Sequence, residues 1–225
     1  MNLTRGQTML AQVAAGWRAD DAGATIPVIW LIGEVTVAAE WLNGGSADVA
    51  LVAEDGAALA TARMRLEKGV RTFRVELRAP AFLSPGRYTV RLRLRLDGSD
   101  LPISETAPFV LERAPQSSGA VLVRRGLSTG NREVVTADPR FRRTEQLRVE
   151  VLATSDDPGT ARLLDRTGKP MAIPVAAGVR AEPDGTLWRT AQLSLAPLAP
   201  GDYVVELSGE ASPRGPVLVA FRIVQ

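Results

Sequence analysis

Three arginines at alternate positions, Arg91, Arg93 and Arg95, are the plainest chemical feature of this chain. Alternate side chains of an extended strand share one face, so the three form a positive stripe. Their planar guanidinium forks suit carboxylates, sulfates and phosphates. Arg87 and the opposite Arg74 are candidates to extend the stripe. A solvated sheet face, with arginines that blunt edge pairing, explains the same pattern without a ligand. A second constellation sets Trp17, Trp30 and Trp41 around Glu34 and Glu40. Aromatic faces beside paired carboxylates are what a sugar site needs, and at the right separation what a glycosidase acid/base pair needs. Trp30, Trp41 and Glu34 are therefore the candidate sugar site. Against it stands a packing role, with tryptophans seating one element on another and glutamates at the rim. Asp156, Asp157 and Asp165 offer oxygen ligands for calcium, but an Asp-Asp-Pro-Gly turn accounts for the first pair and no EF-hand spacing occurs.

What the chain lacks narrows the chemistry further. Its 225 residues include no histidine and no cysteine. The usual proton-transfer side chain, the commonest zinc ligand, the thiol nucleophile and every disulfide are thereby removed. No G-x-x-x-x-G-K phosphate loop is present. The protein is read as not an enzyme, with no catalytic residues, metal ligands or cofactors. Lys and Arg number 27 against 25 Asp and Glu, and a net charge of +2 does not argue for nucleic acid. The longest apolar run, residues 26–32, contains Pro27 and is far short of a membrane span, so no membrane insertion is expected. No signal peptide is read in residues 1–17, where Gln12 interrupts the apolar patch.

The elements that carry these residues read as strands. Tyr88, Val90, Leu92, Leu94 and Leu96 alternate with Thr89, Arg91, Arg93 and Arg95. Further strands are expected at 28–37, 47–53, 59–66, 72–77 and 108–112, and then at 121–123, 147–152, 160–165, 188–195, 203–207 and 218–224. The two halves repeat. Leu83-Ser84-Pro85-Gly86-Arg87-Tyr88-Thr89-Val90 matches Leu198-Ala199-Pro200-Gly201-Asp202-Tyr203-Val204-Val205, and these phrases hold the only two tyrosines. Glu54-Asp55-Gly56 likewise matches the turn Arg166-Thr167-Gly168. Such spacing predicts an all-β chain of two tandem antiparallel β-sandwiches. A polar linker is expected at 115–120, between a first sandwich at 21–114 and a second at 121–225, and residues 124–139 read as a long loop. Met9, Val13 and Trp17 recur every four residues, which predicts a short N-terminal helix over 4–18, within a segment 1–20 packed on the first sandwich near Trp30. Ile29, Leu31, Val35 and Val37 fill one face of the first strand, while Trp30 and Ile32 make the other apolar too. A strand apolar on both sides needs a cover on each.

The L-x-P-G-x-Y-x-V phrases resemble the approach to a late strand in immunoglobulin-like and fibronectin type III-like sandwiches. That resemblance implies a tyrosine corner, in which the hydroxyl bonds back to nearby backbone. The run Phe141-Arg142-Arg143-Thr144-Glu145-Gln146-Leu147-Arg148-Val149, followed by a Pro-Gly-Asp-Tyr strand, is similar to accessory regions of secreted bacterial proteins related to von Willebrand factor A domains. The D-x-S-x-S metal motif of the A domain is absent. Together these features lead to the expectation of a non-catalytic interaction or spacer module of a bacterial envelope or secreted protein. A periplasmic, cell-surface or secreted setting is favoured, and the partner is a protein or a neighbouring domain of a larger one. Arg91, Arg93 and Arg95 are the candidate interaction face. The alternative is a carbohydrate-binding domain that uses the Trp30/Trp41 region, and an uncovered edge strand pairing with another chain is a third possibility.

Overall fold

Described by the computed structural model are residues 8–20, 22–36, 40–209 and 215–225, which form sixteen strands in four sheets. In the first sandwich, β1 (Met9–Ala19), β2 (Thr25–Val35) and β5 (Thr72–Leu77) make one sheet in the order β1-β2-β5. Facing it are β3 (Gly45–Val52), β4 (Ala58–Leu66), β6 (Gly86–Leu96) and β7 (Ile103–Leu111), in the order β4-β3-β6-β7. Leu31, Leu51, Leu77, Val90 and Leu94 fill the core between them.

The second sandwich repeats the plan. One sheet runs β13-β14-β11-β8-β9, built from β8 (Val121–Arg125), β9 (Val134–Thr136), β11 (Gln146–Ala153), β13 (Ala176–Ala181) and β14 (Leu187–Ser194). Its partner runs β10-β16-β15-β12, from β10 (Arg140–Arg142), β12 (Thr160–Asp165), β15 (Gly201–Ser208) and β16 (Val217–Val224). Pairing is antiparallel throughout except for β10 on β16. Phe141, Leu147, Val149, Val205 and Phe221 lie in the core between these two sheets. The architecture is sandwich-like and compatible with an immunoglobulin-like domain. The hydroxyl of Tyr88 donates to the Ser84 carbonyl at 2.7 Å, and that of Tyr203 to the Ala199 carbonyl at 2.9 Å. Each bond ties the start of a central strand to the Pro-Gly turn before it.

The second sandwich adds β9 and β10, which have no counterpart in the first, and the repeat also breaks after the matching turns. After the Gly56 turn the chain returns beside β3 as β4. After the Gly168 turn it makes only a Leu164–Pro170 bridge beside β12, then crosses to the other sheet and pairs with β14 as β13. Pro170 and Pro174 have no N–H to give, so a full return strand beside β12 would leave its ladder broken.

The N-terminal helix is not present. Met9–Ala19 is a strand, paired along its length with β2, and residues 4–7 lie outside the described residues. A repeat of four is also a multiple of two, so Met9, Val13 and Trp17 share a strand face as readily as a helix stripe. Met9, Ala15 and Trp17 enter the first core, while Leu10 and Ala14 face the other way. Residues 124–139 are likewise not a plain loop, because they carry β9.

What covers the second face of β2 is the other sandwich. Leu10, Ala14, Val28 and Ile32 pack against Val121, Val123, Ala137, Leu152 and Trp188, with Trp30 and Val135 at the margin. The four sheets are therefore stacked, with a third apolar core joining the two sandwiches. Gly16 allows the close approach, since a Cβ there would sit 2.9 Å from that of Leu152. The join between sandwiches is pinned as well. Ser118 exchanges both backbone hydrogen bonds with Ala15 at 2.8 Å. Gly119 follows at φ +71°, where a Cβ would run into the Val13 carbonyl.

Candidate functional site

Arg91, Arg93 and Arg95 project from β6, the third strand of an end sheet of the stack, and all three are exposed. The alternation works because Val90, Leu92, Leu94 and Leu96 are buried on the opposite side of the same strand. Strand register then builds the face in transverse rows. Thr61, Ala50, Arg91 and Thr106 make one row, and Arg63, Asp48, Arg93 and Ser104 the next. Arg65, Ser46 and Arg95 make a third. Arg63 and Arg65 thus join a face that the sequence alone confines to one strand, since cross-strand register carries no local signal. Arg74 does not belong to it, because β5 lies in the other sheet.

Carboxylates on this face are few and taken. Asp48 accepts from Arg95 at 3.1 Å and pairs with Arg63 at 3.3 Å. Asp97 holds Arg65 by both oxygens. Arg91 and Arg93 make no ion pair among the described residues.

Trp30, Trp41 and Glu34 are placed apart. Trp41 sits in a single turn of 3-10 helix, Glu40–Asn43, half-buried against the first core. The side chain of Glu40 lies outside the described residues. Trp17 is buried in the first core and its indole N–H donates to the Glu112 carbonyl at 2.9 Å. Trp30 and Glu34 share the side of β2 turned to the second sandwich. Trp30 packs on Trp188 with ring centroids 6.3 Å apart, and the Arg74 guanidinium lies 4.3 Å above its ring. Those neighbours occupy the ring faces that a sugar would need.

Glu34 is 3% exposed. Its Oε2 accepts from the Thr136 hydroxyl at 2.6 Å and from the backbone N–H groups of Ala137 and Asp138, each at 3.1 Å. Its Oε1 pairs with Arg71 at 3.1 Å. Four donors meet one carboxylate, and three come from the other sandwich. The segment that supplies them has no periodic pattern, which is why its sequence reads as a loop. Gln12 adds a further crossing bond, donating to the Ala137 carbonyl at 2.9 Å.

Alternating charges continue the junction. Arg74 meets Glu182 at 2.8 Å, Glu182 meets Arg180 at 3.0 Å, and Arg180 meets the buried Glu150 at 2.8 Å. Arg148 follows on Glu150 at 2.8 Å and reaches Glu133. Arg18 bridges Glu76, at 3.4 Å, and Asp184. Burial pushes the Glu182 carboxyl up, but the hydrogen bond from Arg180 and the Arg74 charge outweigh it, so the group titrates below its ordinary value. Burial also opposes ionisation of Asp184, and hydrogen bonds from Thr186 with the Arg18 charge hold it low in the same way. A carboxyl whose folded pKa is depressed contributes stability above its unfolded pKa and loses it as pH falls through the folded one. The part of the stability that Arg74 contributes is therefore expected to fade below about pH 4, the ordinary carboxylate range. Urea midpoints of the wild type and Arg74→Met should differ most at neutral pH and draw closer in acid, where only the contact with Trp30 is left to Arg74. A gap that stays constant with pH would remove Glu182 from the junction's energetics.

Two of the acidic residues considered for calcium, Asp157 and Asp165, serve turns instead. Asp157 accepts from the Gly159 N–H at 2.9 Å, and Asp165 from the N–H groups of Thr167 and Lys169 at 2.8 and 3.0 Å. Among the described residues, no helix is long and apolar enough to cross a membrane. No protein-family model matches the chain, and no curated protein matches it in sequence.

Proposed function

We infer that the chain is a non-catalytic interaction and spacer module that presents the Arg91, Arg93 and Arg95 face to a protein partner. The observation that carries this reading is the location of that face. It lies on an end sheet, turned away from the junction, with Arg91 and Arg93 unpaired among the described residues. The inter-sandwich core supports it further, because a sheet backed by three packed layers presents its side chains on a rigid surface. The lack of histidine and cysteine favours binding over catalysis. The setting in a bacterial envelope or secreted protein rests on likeness alone. The tyrosine phrases resemble immunoglobulin-like and fibronectin type III-like sandwiches, and the run at 141–149 resembles accessory regions of von Willebrand factor A-related proteins.

The test is affinity capture from envelope and soluble fractions of source cells, with the wild type and an R91E/R93E/R95E variant as bait. Capture of a specific protein by the wild type, lost in a variant whose thermal unfolding is unchanged, is the expected result. Capture that survives the charge reversal would place the binding surface elsewhere. No capture by either form would leave a spacer without a partner of its own.

A further inference from the structure

We propose that the outer face of the β4-β3-β6-β7 sheet binds an extended acidic peptide whose carboxylates alternate along its chain. This rests on the reading of that face as the interaction surface, and it states which chemistry fits. Along β6 the arginines repeat every second residue, about 6.5–7 Å apart at the rise of a strand. An extended polypeptide repeats its own alternate side chains at the same distance. Its carboxylates therefore meet Arg91 and Arg93 one to one without either chain changing pitch, with Arg95, already held by Asp48, next in the line. A compact anion fits less well, because the strand sets successive arginines along a line and not around a point.

Charge and shape agree with a linear ligand. Five arginines (Arg63, Arg65, Arg91, Arg93 and Arg95) face only Asp48 and Asp97, which leaves a surplus of three positive charges. The surplus is centred on Arg91 and Arg93, in the middle of the sheet. Beside them the residues are short: Ala50 and Thr106 flank Arg91, and Ser104 and the arginine-paired Asp48 flank Arg93. A shallow trough opens there, with Ala50, Thr61, Ser104, Thr106 and the arginine-paired Asp48 between the arginines. Peptide backbone can lie over this row while hydroxyls of Thr61, Ser104 and Thr106 bond its amides. Carboxylates then reach the guanidinium forks in the bidentate geometry that arginine favours.

The experiment uses the full chain and two labelled peptides of equal length and equal charge, read by fluorescence anisotropy. One is a Glu-Ser repeat, which sets every carboxylate on one face of the extended chain. The other is a Glu-Glu-Ser-Ser repeat, which divides them between both faces. The Glu-Ser repeat is expected to bind about tenfold more tightly, the effect of a single charge-assisted hydrogen bond. R91E/R93E should lose that binding, while R166E/K169E, the same charge change on an exposed turn of the second sandwich, should keep it. Equal affinity for the two peptides, or no measurable affinity for either, would overturn the proposal. So would tighter binding of dextran sulfate than of the Glu-Ser repeat, which would assign the face to an anionic glycan. If the peptides fail while capture still depends on Arg91 and Arg93, the face remains the interaction surface and only the extended acidic partner is lost.

Discussion

Trp188→Ala is expected to destabilise the protein by about 3–5 kcal/mol, the usual cost of emptying a site built around a buried aromatic ring. Trp188 is 0% exposed and lies in the core that joins the sandwiches. Around it are Trp30, at 6.3 Å between ring centroids, and the guanidinium groups of Arg74 and Arg180, at 6.0 and 5.9 Å. Truncation leaves a cavity between two sheets whose strands are hydrogen-bonded within themselves, so neither can collapse freely to fill it. The loss should fall on the coupling between sandwiches more than on either internal core. Urea unfolding followed by circular dichroism is expected to show one transition in the wild type and two in the variant, with Trp188→Phe intermediate. A variant that retains a single transition at an unchanged midpoint would mean that the junction contributes little.

The second large effect is expected at Glu34. Glu34→Ala removes the acceptor for the Thr136 hydroxyl and for two backbone N–H groups, and leaves Arg71 without its partner. The Ala137 N–H is left buried without this acceptor and Thr136 and Asp138 keep only each other, at roughly 1–3 kcal/mol for each group left unsatisfied, while the half-exposed Arg71 can turn to water. Glu34→Gln should cost less, since its amide oxygen still accepts while its NH2 group meets the Arg71 guanidinium unfavourably. The sensitive readout is hydrogen exchange at the amides of Ala137 and Asp138. Both should lose protection in the alanine variant before the strands of either sandwich do. Unchanged protection at those two amides would show that the latch is held by something other than the carboxylate.

Legibility in the sequence follows how local each interaction is. Thr72–Leu77 has the bounds that alternation predicts, because it has one face buried and one partly open, and Thr160–Asp165 also has the expected bounds although Leu163 and Leu164 are both buried. Both faces of Met9–Ala19 are largely buried, so its alternation is blurred, and the remaining repeat of four fits a helix equally well. The doubly apolar stretch at 28–35 does have two covers, as its pattern requires, but the second is the other sandwich. Nothing near Glu34 in sequence announces its partners in the second sandwich, which begin 102 residues further on. The arginine face is visible as a stripe on one strand, while Arg63 and Arg65 enter it through register. Pro170 and Pro174 hide β13, because they divert the chain from one sheet to the other.

The layered junction also bears on how the chain matures during synthesis. When the first half has left the ribosome, β1–β7 can close their own core, yet Leu10, Ala14, Val28, Trp30 and Ile32 still face water. Their covering residues, from Val121 to Trp188, are translated later. The nascent protein therefore carries an adhesive apolar sheet for the whole interval in which its second half is made. Holding the first sandwich close to the emerging chain, through the short join at 115–119, shortens the search that hides it.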